Sequence, residues 1–347
     1  MATHAGELHC IRLPIWASFP TCFSSTHGRK PPDSISSPIN NTQVIESTIL
    51  YAHKPTDVKS IPLTRGLSVR GLGRNPSKLP PRLSQALESF IPCTSHADVD
   101  ALHTAVTGVD AIACAYTTDP VLYLEGGLLL LRAVEAANVK IFIAASWTQD
   151  WKNIRYGDFE LYDSILAFVD HVAATSSINP VYLINGTFAG WMMRPSSTAG
   201  DGDGSVRCEF WGAGDTKRVS WTTMDDAAAY TIEILCNDPA VRAGQGGIFR
   251  FRSGELTLRE MAAVYEKVTG KEVVVVCKGS LEDGERALDA AKKEKGRAGI
   301  WERLLLSSSV VAARGLWEFR KPVMDLTYVK KPKSFEDHLR ERMSGGS

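Results

Sequence analysis

From Leu67 onward, short runs of β character alternate with amphipathic helical runs, and this rhythm points to parallel strands joined by crossover helices. The expected strands are Leu67 to Leu72, Val109 to Ala115, Val139 to Ala145 and Pro180 to Ile184. These runs read as buried on both faces, as strands covered by helices on each side must be. The helical runs carry their own boundary signals. Asp98 to Thr107 presents Ala101, Leu102, Ala105 and Val106 on one face and stops at Gly108. Asp119 offers an N-cap ahead of Pro120, whose fixed φ suits the first helical position, and Asn138 stands where a left-handed residue would close that helix. Thr257 and Glu260 have the spacing of a capping box, with Gly270 closing the helix that follows. The expected fold class is α/β, a doubly wound parallel sheet with a smaller C-terminal lobe.

Residues 1–62 read differently. They are rich in Ser, Thr, Pro and His, carry breakers such as Lys30-Pro31-Pro32-Asp33, and show no sustained period, so a poorly ordered or atypical segment is expected. Met1 to Phe19 is not read as a signal peptide, because Glu7 replaces a basic start and the apolar stretch Leu13 to Trp16 is short. Ser196 to Ser205 is a Gly, Asp and Ser loop, either an ordinary surface excursion or a mobile cover. Charge balances at 39 basic and 39 acidic residues, which argues against nucleic acid or an anionic membrane and for a small-molecule role. The seven cysteines are scattered without a C-x-x-C pair or a His at ligand spacing, so reduced thiols, no metal site and a cytoplasmic location are expected. The longest apolar run, Gly127 to Val134, is too short to span a bilayer and carries Arg132.

In a doubly wound sheet, ligands sit outside the carboxyl ends of the strands near the point where strand order reverses. Candidate contacts are therefore the residues just after each strand. Arg74 follows the first expected strand in Gly71-Leu72-Gly73-Arg74-Asn75-Pro76-Ser77-Lys78-Leu79. A guanidinium there can fork onto the 2′-phosphate of NADP, whereas an acidic residue would hold the free ribose hydroxyls of NAD. Arg74 and Lys78 are thus assigned to the adenosine end, with a solvated basic turn as the competing explanation. Tyr116 and Thr117 would face the cofactor, Ser146 and Trp147 would stand near the nicotinamide, and Asn185, Gly186, Thr187 and Phe188 would line the substrate side. For each of these, strand-end packing or turn capping is the alternative. His171 reads as a surface or boundary residue, and no G-x-S-x-G elbow supports hydrolase chemistry.

The run Val69 to Leu79 resembles the second strand and NADP-selecting turn of NmrA-like proteins, a branch of the atypical short-chain dehydrogenases that includes isoflavone-reductase-like enzymes. The resemblance continues in order through Leu102 to Ile112, Ala136 to Trp147, Asn185 to Gly190, Phe210 to Lys217 and Asp225 to Ala228, about three quarters of the chain. It implies a Rossmann-like NAD(P)-binding domain over 63–190, a substrate lobe with a return strand-helix unit over 191–333, and a C-terminal helix and tail over 334–347. The implied activity is NADP-dependent hydride transfer to a carbonyl or conjugated double bond of a small, aromatic metabolite, as in fungal oxidoreductases of secondary metabolism. The same family holds NADP-sensing regulators that act through a protein partner.

Two departures from the family pattern stand out. The family opens with a strand and a G-x-x-G-x-x-G turn whose amides hold the pyrophosphate, and nothing upstream of Arg74 supplies it. Either Gln43 to Leu50 fills the first-strand slot without glycines, or the first sixty residues replace the family's opening segment through mis-splicing or mistranslation. The resemblance also implies a catalytic helix Lys, and alignment on Phe159-Glu160-Leu161 puts Tyr162 in its place, next to Asp163. Tyr156, Tyr162 and Tyr182 all lack a Lys four residues on, so the usual Y-x-x-x-K pair is missing too. Tyr162 is then the catalytic candidate, a proton donor to a developing alkoxide if a neighbouring cation lowers its ordinary pKa of ~10. A ring packed on a helix face is the alternative.

Overall fold

The computed structural model describes residues 49–53, 67–79, 81–192 and 206–344. The Ser196 to Ser205 loop lies outside the described residues, as does the N-terminal segment apart from 49–53. Seven strands form the main sheet: β1 (Ile49–His53), β2 (Ser68–Gly73), β3 (Ser89–Pro92), β4 (Ala111–Ala113), β5 (Ile141–Ile143), β6 (Val181–Ile184) and β10 (Gly247–Arg250). Their order is β10-β6-β5-β4-β1-β2-β3, and β2 with β3, β4 with β5, β5 with β6 and β6 with β10 pair in parallel. The expected α/β class is thus realised, with strand order reversing about β1.

The exception to the parallel rule is β1 itself. It occupies the slot between β2 and β4 but runs antiparallel to both, with Leu50 opposite Gly71 and Ala113. The slot is therefore filled by Ile49–His53, which shares Ile49 and Leu50 with the expected segment and runs in the reverse direction; Gln43 to Thr48 lie outside the described residues. A parallel first strand would deliver the chain to the ligand edge and turn it into a helix there. Here the amino end of β1 lies at that edge, with Ile49 opposite Leu72 and Leu50 opposite Ala113, and the chain leaves from the other. The sequence from Arg29 to Arg65 contains no glycine with which to build a phosphate turn. The reversed strand still pairs the backbone groups of β2 and β4, which an empty slot would leave as exposed edges.

The caps at Asp119, Asn138 and Thr257 form where expected, and Asp98, where a helical run was expected to begin, caps it as well. Asp98 accepts a hydrogen bond from the Ala101 amide at 3.2 Å, and Asp119 accepts one from Leu122 at 3.0 Å. Asn138 adopts φ 57 and ends the helix Gly127–Ala136. Thr257 and Glu260 form the capping box, closed by Gly270 at φ 69. β4 and β5 are shorter than expected because the residues after Ala113 and Ile143 leave the ladder to form loops at the ligand edge. Cys114 and Ala144 make the last bonds, to the carbonyls of Ile143 and Val181.

Smaller sheets adjoin the main one: β7 (Thr187–Phe188), β9 (Val219–Thr222) and β11 (Gly254–Leu256) form one, and β8 (Val206–Phe210) pairs in parallel with β12 (Val273–Cys277). The main core packs Ile112, Leu130, Leu131, Phe142 and Ile165 between sheet and helices, all with no exposed surface. No helix among the described residues is long and apolar enough to cross a membrane.

Candidate functional site

The ligand edge begins at the carboxyl end of β2. Arg74 is exposed there, and Asn75 caps the turn Pro76–Lys78 by accepting the Ser77 amide at 3.0 Å. Lys78 closes this turn. After β3 comes Cys93, whose amide donates to Gly73 at 2.9 Å. Burial and then Asp98 push its thiol up in pKa, while the Arg74 charge pulls the other way, so Arg74 acts on this corner of the edge.

After β4, Tyr116 and Thr117 are both buried. The Tyr116 ring lies so close to Gly126 that a Cβ there would come within 3.2 Å of it. The Thr117 hydroxyl accepts the Asp119 amide at 3.4 Å, in the manner of a turn cap. After β5, Ser146 has no exposed surface; its Oγ donates to Ala144 O at 2.9 Å and accepts the Leu183 amide at 2.7 Å, stitching the loop to β6. Trp147 turns away, its indole N–H donating to Thr231 Oγ1 at 2.9 Å on the helix Met224–Asn237. Phe188 likewise packs with Val181, Leu183 and Tyr230 in a separate apolar cluster.

The turn after β6 folds back on the loop after β5. The amides of Asn185 and Gly186 both donate to Thr148 O, at 3.1 and 3.0 Å, and Thr187 Oγ1 accepts Gln149 Nε2 at 2.7 Å. Gln149 was not singled out by sequence; its signal is a polar side chain, 4% exposed, directly after a core strand. Its Oε1 has no partner, and neither amide atom of the fully buried Asn185 has one. A buried polar atom left unpaired costs about 1–3 kcal/mol, so these groups mark a place where hydrogen bonding is incomplete. The structure thus brings Ser146, Gln149, Asn185, Gly186 and Thr187 together, sets Arg74 and Lys78 apart at β2, and directs Trp147 and Phe188 into packing.

Tyr162 ends the turn Glu160–Tyr162, which Arg303 clamps through Glu160 at 2.7 and 2.8 Å. Its hydroxyl accepts the Gln149 amide at 3.1 Å, and its ring packs against Phe159 and Trp317, with centroids 4.9 and 5.7 Å away. Burial pushes the phenol up to about 12, opposed by hydrogen bonds from Gln149 and Thr148, neither of which carries charge. The cation that proton donation near neutrality required is therefore replaced by burial, which acts in the opposite direction. Tyr162 remains a neutral phenol through the physiological range.

This has a consequence for stability. Burial raises Tyr182 and Tyr123 as well, so on an unfolded-state value of 10.0 the folded chain keeps phenolic protons that the unfolded chain loses. Stability from these groups is complete below about pH 10 and is lost as pH rises through 10 towards 12. Urea unfolding at about pH 9 and about pH 11 should show this fall, and Tyr162→Phe should shrink it by about 1.4 kcal/mol. An equal fall in both proteins would contradict the assigned shift.

Behind these residues, Asp150 has no exposed surface and accepts four donors: Arg250 Nε at 2.6 Å and Nη2 at 3.2 Å, the Lys152 amide at 3.2 Å and the Arg320 amide at 2.9 Å. It ties the loop after β5 to β10 and to the C-terminal segment.

The NmrA-like family profile matches residues 56–279, beginning just after β1. No curated protein matches the chain in sequence. Among solved structures it superposes on an isoflavone reductase with a TM-score of 0.62 at 18% identity, over 81% of this chain and 93% of that one. AtPrR2 with NADP+ and (+)-pinoresinol gives 0.59 at 21% identity, over 75% and 84%. The NADPH-dependent quinone oxidoreductase from Escherichia coli, complexed with NADPH, gives 0.56 at 19% identity, over 78% and 89%. At such identities the superpositions establish a common fold.

Proposed function

Since the chain belongs to the NmrA-like family, we propose that it is an NADP(H)-dependent oxidoreductase, reducing a carbonyl or conjugated double bond of a small metabolite in the cytoplasm. The observation that carries this reading is the set of unpartnered buried amide atoms on Gln149 and Asn185, at the carboxyl ends of β5 and β6. They lie on the same sheet edge as Arg74, where this fold class holds its ligands. Relatives of the same fold solved with NADP+ or NADPH support it.

NADPH would supply the hydride, and the protein would bind and orient it. Arg74 and Lys78 would hold the adenosine 2′-phosphate, and Gln149 and Asn185 would orient the ring end. Tyr162 keeps its proton and can offer the substrate oxygen a hydrogen bond but no charge. Its position in place of the family's Lys, with a phenol at about 12, favours a second reading: an NADP(H)-sensing regulator that signals through a protein partner.

NADPH consumption with a panel of quinones and enones separates the two. The first reading expects saturable oxidation with at least one acceptor. Binding without turnover on any of them would favour the regulator. In either case Arg74→Ala should weaken NADPH binding by about 10–100-fold, the loss expected for charge-assisted bonds to a phosphate.

A further inference from the structure

β8 and β12 form a sheet of only two strands, too small to be stable without further pairing or packing. The helix Leu258–Thr269 packs on one face, where Val273 is buried with Met261 and Ala262 and Val275 lies against that cluster. Val274 and Val276 are half-buried on the opposite face, beside Arg207 and Glu209. Along β12 the peptide groups alternate in direction as well. Glu272 O accepts the Val206 amide and the Lys278 amide donates to Phe210 O, at 2.9 Å each, so Val273, Val275 and Cys277 turn their amides and carbonyls away from β8. The outward Val273 amide is taken by Glu266 Oε1 at 2.7 Å, and among the described residues no strand pairs with the outward groups of Val275 and Cys277. Between Val273 and Cys277 the edge carries neither proline nor charge, the usual guards against strand addition.

We propose that this edge pairs with the same edge of a second copy of the chain, antiparallel about a two-fold axis at Val275. Val275 then exchanges backbone bonds with its counterpart, and each Cys277 amide reaches the Val273 carbonyl of the other copy. In the alternate pairs, where side chains come closest, Val274 meets Val276 and Glu272 meets Lys278, each twice by symmetry. Glu272 and Lys278 are both exposed and bracket the strand with opposite charge. Charge therefore selects the register: moving the axis to Val274 sets Glu272 opposite Val276, and moving it to Val276 sets Lys278 opposite Val274. The contact covers half-buried valines and satisfies an open row of amides and carbonyls. It is independent of the oxidoreductase reading.

Sedimentation velocity of the full-length chain over about 1–100 μM tests the pairing, with a concentration-dependent dimer expected for wild type. Val275→Pro removes an amide that faces away from β8, so it should leave the fold intact and abolish the dimer. Glu272→Lys places like charges opposite each other at both ends of the contact and should weaken the dimer by about tenfold or more. Lys278→Glu should do the same, although Lys278 also pairs with Glu209 at 3.2 Å in its own chain. The double change Glu272→Lys, Lys278→Glu restores opposite charge across the axis and should recover most of that loss, which a merely structural role would not produce. A wild type that stays monomeric throughout, or a dimer indifferent to Val275→Pro and to the single charge changes, overturns the proposal. If Val275→Pro does not fold, the charge exchange decides, and failure of the double change to recover the dimer overturns the pairing.

Discussion

Asp150→Ala is expected to remove about 3–5 kcal/mol of folding stability, the largest loss for any single charged residue at this edge. The carboxylate is fully buried and receives four donors, two from Arg250, whose own side chain is only 10% exposed. Removing it leaves a guanidinium buried without its counter-charge and frees the amides of Lys152 and Arg320. The cost therefore lies mainly in what remains rather than in the lost attraction. The double variant Asp150→Ala, Arg250→Met should recover a good part of it, because an apolar pair carries no desolvation penalty. Urea denaturation of the single and double variants measures both quantities. A single-variant loss below about 1 kcal/mol would mean that the cluster is hydrated and not the anchor described here.

Gly186→Ala should be comparably severe for a different reason. Gly186 adopts φ 75, and a Cβ built on it would lie 2.1 Å from the Ser220 carbonyl oxygen. Left-handed backbone alone costs a residue with a side chain about 1–2 kcal/mol, but contact with a backbone carbonyl cannot be relieved by a rotamer change. The turn after β6 would have to separate from β9, breaking the bonds of Asn185 and Gly186 to Thr148. Gly157 is the control. It has φ 82 and open space where a Cβ would go, so Gly157→Ala should cost only the backbone term, about 1–2 kcal/mol. Expression, solubility and thermal melting of the two variants side by side separate crowding from strain. Equal losses would show that the approach of Ser220 is looser than 2.1 Å.

Features set by neighbouring residues were legible in the sequence. The caps at Asp98, Asp119, Asn138 and Thr257 are local chemistry, and so is the stripe Ala101, Leu102, Ala105 and Val106, all buried. β3 and β10 were not among the expected strands, whereas the parallel α/β class followed from the β-α alternation. The direction of β1 did not, because a five-residue apolar strand reads the same in either sense and the neighbouring ladders decide which way it runs. Gln149 was missed for a similar reason. Its burial depends on Thr187 and Ser220, 38 and 71 residues further along the chain. Its position after β5 points Trp147 towards the nicotinamide, yet its indole bonds Thr231 on the helix Met224–Asn237. Position after a strand fixes where a Cα lies but not which way a large side chain turns. Tyr162 was found only through family resemblance, and its burial against Trp317 depends on a segment far down the chain.

On the proposed reading, the fold holds NADP(H) although β1 runs antiparallel to its neighbours and brings no glycine turn. Calorimetric titration of the full-length chain with NADPH and with NADH tests it most directly. NADPH should bind at micromolar concentration, about tenfold or more tighter than NADH through Arg74, with thermal stabilisation to match. No heat of binding, and no stabilisation at about 100 times a micromolar Kd, where roughly 2.7 kcal/mol should be gained, would contradict it.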